Sequence, residues 1–179
     1  MCMWLSFLDL WNSKSFFYDV NITESADMEM YMDASGSKGY GGYFQGKWFS
    51  CPWPDDLNLG QDDMSIAFME LVPIVTCATI WGHNMWAKKR ILFHCDNMAT
   101  VGIINKERSK SHNIMKLMRR LTWCAIKFNF VLHAVHIKGR YNILSDCLSR
   151  LQVEKFRELD PLSEQHPTAT PPVHELYLT

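Results

Sequence analysis

The chain has 179 residues, 47% hydrophobic and 21% charged, a globular composition that excludes a disordered polymer and suits one well-buried domain with appended segments. Six cysteines, at positions 2, 51, 77, 95, 124 and 147, form no C-x-x-C pair; this excludes a zinc knuckle or small disulfide framework and favours reduced thiols in a cytoplasmic or nuclear setting. The net charge of −1 hides a partition: three Lys/Arg against eleven acids in residues 1–87, twelve against two in 88–140, and three against six in 141–179.

A basic middle beside acidic flanks is the pattern of a phosphate-binding face next to a metal-binding one. The N-terminal segment, residues 1–28, is dense in aromatic and aliphatic residues (Trp4, Phe7, Leu10, Trp11, Phe16, Phe17) and reads as a surface that packs on something else. It lacks a basic n-region and meets Asp9 early, so it is a poor signal peptide. No stretch is read as approaching the roughly 20 apolar residues of a membrane span.

From Glu29 the pattern alternates, with Met30, Met32 and Ala34 against Glu29, Tyr31 and Asp33. Turn residues 35–39 and the short runs 40–44 and 47–50 then predict a three-stranded meander. A Pro- and Asp-rich loop spans 51–63. The apolar run 66–86 predicts a buried helix, with Pro73 expected in its first turn and Glu70 at its start. Residues 90–95 read as a buried strand, 97–105 and 112–127 as helices, and 128–137 as another strand. A loop at Lys138-Gly139-Arg140 leads to a last helix over 142–150, capped by Asn142. The order βββαβααβα implies an α/β fold with parallel pairing where helices intervene. The tail, 153–179, contains Pro161, Pro167, Pro171 and Pro172 and reads as a linker or loosely ordered end.

Four acids fall at ends of these elements. Asp33 closes the first strand and Asp96 the fourth, where open α/β sheets bind ligands; Glu70 and Asp146 on helices would face them. Carboxylates crowded together repel one another, and an oxygen-rich set of this kind suits a hard cation such as magnesium or manganese. His133 and His136 compete to deliver an imidazole that titrates near neutrality, and His136, which adjoins the loop, is preferred. His94 reads as a packed strand residue, His83 and His112 as surface positions, and Trp123 and Phe128 as core. Lys106, Arg108 and Lys110 form a loop suited to a phosphate backbone, extended by Lys116, Arg119 and Arg120.

Taken together, Tyr31-Met32-Asp33-Ala34-Ser35, Met69-Glu70-Leu71, Cys95-Asp96-Asn97 and the series His136, Gly139, Asn142, Asp146 resemble the RNase H domain of retroelement reverse transcriptases. Ser145-Asp146-Cys147-Leu148-Ser149-Arg150 is similar to the A-D-x-L-S-R box of gypsy-like and DIRS-type elements, with Ser145 in place of the usual Ala. Trp48, Glu70-Leu-Val-Pro73, Trp81-Gly82 and Phe156-Arg157 look most like DIRS-type sequences. The resemblance covers about residues 29–152 and implies an RNase H-like fold, a five-stranded mixed sheet of three antiparallel strands with parallel additions, flanked by helices. It implies an endonuclease acting on the RNA strand of RNA/DNA hybrids, with Asp33, Glu70, Asp96 and Asp146 holding two Mg2+ (or Mn2+) ions and His136 assisting. Ser35, Asn97, Lys106, Arg108, Lys110, Lys138 and Arg140 would contact the hybrid. Residues 1–28 would be the end of a polymerase connection region, with a polymerase domain as partner in the parent polyprotein and no membrane involved. A second reading is a nuclease-silent nucleic-acid or protein interaction module of the same descent, and a third is a fragment that aggregates through its N-terminal aromatics.

Overall fold

The structure, a computed structural model, describes residues 28–57 and 65–177; the reading of the N-terminal segment falls, Met28 apart, outside them. Strands β1 (Glu29–Ala34), β2 (Gly39–Phe44) and β3 (Lys47–Pro52) pair antiparallel as a meander. β4 (Arg90–Cys95) joins β1 in parallel, and β5 (Val131–His136) joins β4 in parallel, giving the order β3-β2-β1-β4-β5. Each parallel addition follows a helical crossover, as parallel pairing requires: α1 (Ile66–Met85) precedes β4, and α2 (Met98–Lys106) and α3 (His112–Phe128) precede β5. The protein is an α/β structure with an open, mixed, five-stranded sheet flanked by helices.

The elements follow from local chemistry. Met30 and Met32 of β1 are buried while Glu29 and Tyr31 are half-buried, the period-2 pattern of a strand packed mainly on one face. In α3 the buried positions Ile114, Leu117, Met118, Leu121 and Cys124 recur at spacings of 3 and 4, so a single stripe faces the core. Ser65, Asn97 and Ser111 cap the first three helices with side-chain oxygens that accept backbone N–H bonds from Phe68, Thr100 and Ile114.

Helix α1 departs from expectation at its start. Ser65 is the cap, so Pro73 is the eighth residue, inside the helix, and Glu70 is the fifth, a full turn in. An interior proline costs about 3 kcal/mol, offset here by a helix buried continuously from Phe68 to Ala78. By length and composition α1 could cross a membrane, contrary to the sequence reading, but 78% of its apolar window is buried inside the protein. It serves as the central core helix between the sheet and α3.

The other face of the sheet has its own smaller core. Helix α4 (Ile143–Ser149) lies across β1 and β2, and α5 (Val153–Leu159) follows it. Trp48, Cys147, Leu148 and Phe156 pack there with Tyr43, Leu144 and Val153 around them. A side-chain carbon at Gly41 would sit 2.5 Å from Leu148 Cβ, so α4 reaches β2 only because that strand has no Cβ at this point.

The segment after residue 152 is not a loose linker. Beyond α5, Glu164 N–H donates to the Gly46 carbonyl at 2.8 Å and Thr168 N–H to the Trp48 carbonyl at 2.7 Å. Trp48 Nε1 donates to the Glu164 carbonyl at 2.7 Å, and Arg157 stacks over the Trp48 ring. Val173 and Leu176, in a 3-10 turn, then join the main core beside α1. The segment that looked like a linker thus runs beside β3, an edge strand whose unpaired groups would otherwise be open to other chains. Leu176→Ala should therefore cost about 2–5 kcal/mol in denaturant unfolding, the range for a buried leucine; a loss below about 0.5 kcal/mol would show the tail to be a passive appendage.

Candidate metal centre

Two strand ends and two helices meet at the carboxyl end of β1 and β4. The two strands are parallel neighbours with Tyr31 opposite His94, so two residues further on Asp33 and Asp96 stand level with each other. Helix α1 crosses the same end with Glu70, whose carboxylate accepts a hydrogen bond from Ala34 N–H. Asp146 arrives on α4 from the opposite face of the sheet. Its position is set by Asn142, which is 2% exposed and donates from Nδ2 to the Met32 carbonyl at 2.8 Å. Asn142 makes no side-chain cap bond, so it does not act as the expected helix cap; it pins α4 to β1 and thereby Asp146 to Asp33.

The acids feel one another. Burial pushes the Asp33 carboxyl up to about 6, with Asp96 and Asp146 adding to the rise and Ser149 and Arg150 opposing it. Burial, then Asp33 and Asp96, push Glu70 up to about 9. Glu70 Oε2 is buried without a hydrogen-bond partner, an orphan that normally costs a protein 1–3 kcal/mol or more. Such an oxygen among other carboxylates is free to serve as a ligand atom. The donor atoms of Glu70, Cys95 and Asp96 lie within 4.8 Å of one another, so this buried cluster could hold a metal ion.

Two residues just after Asp146 balance part of the charge. Ser149 Oγ donates to Asp33 Oδ2, and Arg150 Nε donates to Asp146 Oδ1 at 2.7 Å. Arg150 reaches Asp146 at i,i+4 spacing, a pairing legible in the residue order, whereas Ser149 meets Asp33 only because α4 docks on β1. Cys95, at the end of the run read as a buried strand, also supplies a donor atom to the cluster.

The remaining site residues divide by position. His136 ends β5 opposite Cys95, at the acid end of the sheet, while His133 sits three residues back, about 10 Å along the strand. Loop 138–140 arches over Asp96: a Cβ at Gly139 would meet Asp96 Oδ2 at 3.1 Å, so a larger residue there would crowd the carboxylate. Lys138 and Arg140 are exposed beside it. Lys106, Arg108 and Lys110 are exposed too, but α2 carries the chain about 13 Å from the acids before reaching them. Ser35 and Asn97 are engaged locally. Ser35 Oγ accepts from Lys38 N–H in the β1–β2 turn, and Asn97 Oδ1 accepts from Thr100 as the cap of α2. His94 is a packed strand residue, stacked on Tyr31 with ring centroids 4.6 Å apart.

The apolar hollow between α3 and β5, about 50 Å³ and lined by residues such as Met118, Leu121, Phe130 and Leu132, contains none of the four acids.

Because the folded-state values of Asp33 and Glu70 lie above their ordinary values of 3.8 and 4.5, the contribution of these two groups to the stability of the metal-free protein is fullest below those ordinary values. That contribution is lost as pH rises through about 6 and on toward about 9. Thermal melts in EDTA should show a Tm that falls across this window, Glu70→Gln should flatten the upper part of the fall, and saturating Mg2+ or Mn2+ should reverse it. A Tm indifferent to both pH and divalent ions would contradict this account of the cluster. Comparison of the chain with protein-family models and with curated proteins finds no match.

Proposed function

We propose that the protein is a divalent-metal-dependent nuclease of the RNase H type, hydrolysing the RNA strand of RNA/DNA hybrids. The observation that carries this reading is the convergence of Asp33, Glu70, Asp96 and Asp146 from four separate elements on one end of the sheet, with Glu70 Oε2 left unpartnered. The α/β plan and the resemblance of the motifs around these acids support it.

In this reading the four carboxylates hold two magnesium or manganese ions. The oxygen-rich donor set fits hard cations, and the orphaned Glu70 oxygen fits a ligand role. When bound, such ions supply the charge neutralisation and Lewis acidity that phosphodiester hydrolysis needs. The chain's own residues do the rest. Asn142 holds α4 so that Asp146 faces Asp33. Ser149 and Arg150 keep the two carboxylates oriented and partly neutralised. His136, exposed at the rim, takes or gives a proton between the site and water. Lys138 and Arg140 flank Asp96 and would grip the phosphates nearest the cleaved bond, with Lys106, Arg108 and Lys110 holding the duplex further out. RNA would be told from DNA through its 2′-hydroxyls and the groove shape of the hybrid. A polymerase domain of a parent reverse transcriptase would supply the remainder of the hybrid grip.

End-labelled RNA/DNA hybrid should be cut in Mg2+ and in Mn2+, whereas RNA/RNA and DNA/DNA duplexes should stay intact. Asp96→Asn should lower the rate about 10²–10³-fold, the scale of deleting a preorganised electrostatic element. Folded protein that binds the hybrid but never cuts it in either metal would instead identify a nuclease-silent binding module. The basic residues have a separate signature: Lys138→Ala and Arg140→Ala should each weaken hybrid binding and reduce the slope of log affinity against log salt by about 1. An unchanged slope would remove them from the phosphate contacts.

A further inference from the structure

We infer that Glu70, Cys95 and Asp96 form a site for a thiophilic divalent cation of the zinc and cadmium class, in addition to the hard-cation role of the carboxylates. The inference needs only these three donors and not the hydrolytic reaction. Their ligand atoms lie within 4.8 Å of one another. Glu70 is 5% exposed and its Oε2 has no hydrogen-bond partner, so a buried ligand atom already points into the cluster. Cys95 is a free thiol, 1% exposed, and its Sγ accepts a hydrogen bond from Asn97 N–H at 3.4 Å; burial and then the Glu70 carboxylate push the thiol well above its ordinary range, so the metal itself must displace the proton.

Cation chemistry separates the two uses of one cluster. Magnesium takes oxygen ligands and has no use for sulfur, whereas zinc and cadmium gain from a thiolate. Zinc binds sulfur at about 2.3 Å and carboxylate oxygen at about 2.0–2.2 Å, so the donors of a tetrahedral site lie about 3.4–3.7 Å from each other. The cluster must draw in by about 1 Å at its widest, and Asp96, the least buried of the three, has the most room to move. Three protein donors leave a fourth position for water or another oxygen ligand, the arrangement of an open rather than a closed zinc site. On binding, the Cys95 S–H and Glu70 O–H bonds break, both protons pass to water, and the thiolate sulfur and carboxylate oxygen bond to the metal without any change of oxidation state. The ion so held occupies Glu70 and Asp96, and excludes a hard cation from them.

Cadmium reports this directly, because a cadmium–thiolate bond absorbs in the ultraviolet by charge transfer. Titrating the full chain with Cd2+ should raise such a band, and Zn2+ should compete for it. Cys95→Ser should abolish the band yet leave Mn2+ affinity within about twofold, since manganese does not need the sulfur. Glu70→Gln and Asp96→Asn, which keep the thiol, should each lower the apparent Cd2+ affinity by more than about 10-fold, as even losing a supporting group costs about 10–100-fold. A band that survives Cys95→Ser places the ion on another thiol and overturns the assignment. Should Cys95→Ser not fold, a Cd2+ affinity indifferent to both carboxylate changes overturns it equally. None of these readouts depends on cleavage, so failure of the nuclease reading and failure of this one are distinguishable.

Discussion

Bringing carboxylates together away from water is the constraint around which this protein is arranged. Asp33 is 6% exposed and Glu70 5%, and each sits in the field of other acids. In the metal-free protein the cost is met by protonation and by Ser149 and Arg150, which lie one turn beyond Asp146. A bound cation would meet it more fully. Polar groups crowded in this way are retained by a fold only when something outside the packing uses them, and they set where the site is and what it can hold.

Two helices approach the acids from opposite faces of the sheet, and each approach depends on β1 and β2. From one side α1 places Glu70 a full turn beyond its Ser65 cap, anchored by the continuous burial of residues 68–78. From the other side α4 lies so close that Leu148 would collide with any side chain at Gly41. The Asn142 bond to the Met32 carbonyl fixes its start. Loss of either approach would move one carboxylate relative to the others. The parallel pairing of β1 with β4 then sets Asp33 level with Asp96, so sheet register and helix docking share control of the cluster.

The edge of the sheet has a different solution. β3 would present unpaired backbone to solvent, and the chain returns after α5 to pair with it at Gly46 and Trp48 before burying Val173 and Leu176. The segment can do this because two apolar side chains anchor its far end. The tail thereby ties the small core around Trp48 and Phe156 to the main core around α1.

Much of the fold was legible in the residue order, because side-chain period follows backbone repeat. The alternation of Met30 and Met32 marked β1, the stripe from Ile114 to Cys124 marked α3, and the run from Ile66 marked α1. Asp33 and Asp96 could be named because they fall at strand ends, whereas Glu70, expected at the start of α1, lies a full turn inside it. What residue order could not supply was contact across elements. Ser65 rather than Pro73 sets the start of α1, and that choice depends on the depth of burial of the whole helix. Asn142 at a helix start looked like a cap, and only the docking of α4 gave it the Met32 carbonyl instead. The tail looked like a linker because proline content carries no record of the edge strand it covers. Cys95 became a potential ligand only when α1 brought Glu70 beside it. Local periodicity belongs to the sequence by itself; which donor atoms share a site was decided by strand register and helix packing, since those place residues distant in the chain within a few ångströms of each other.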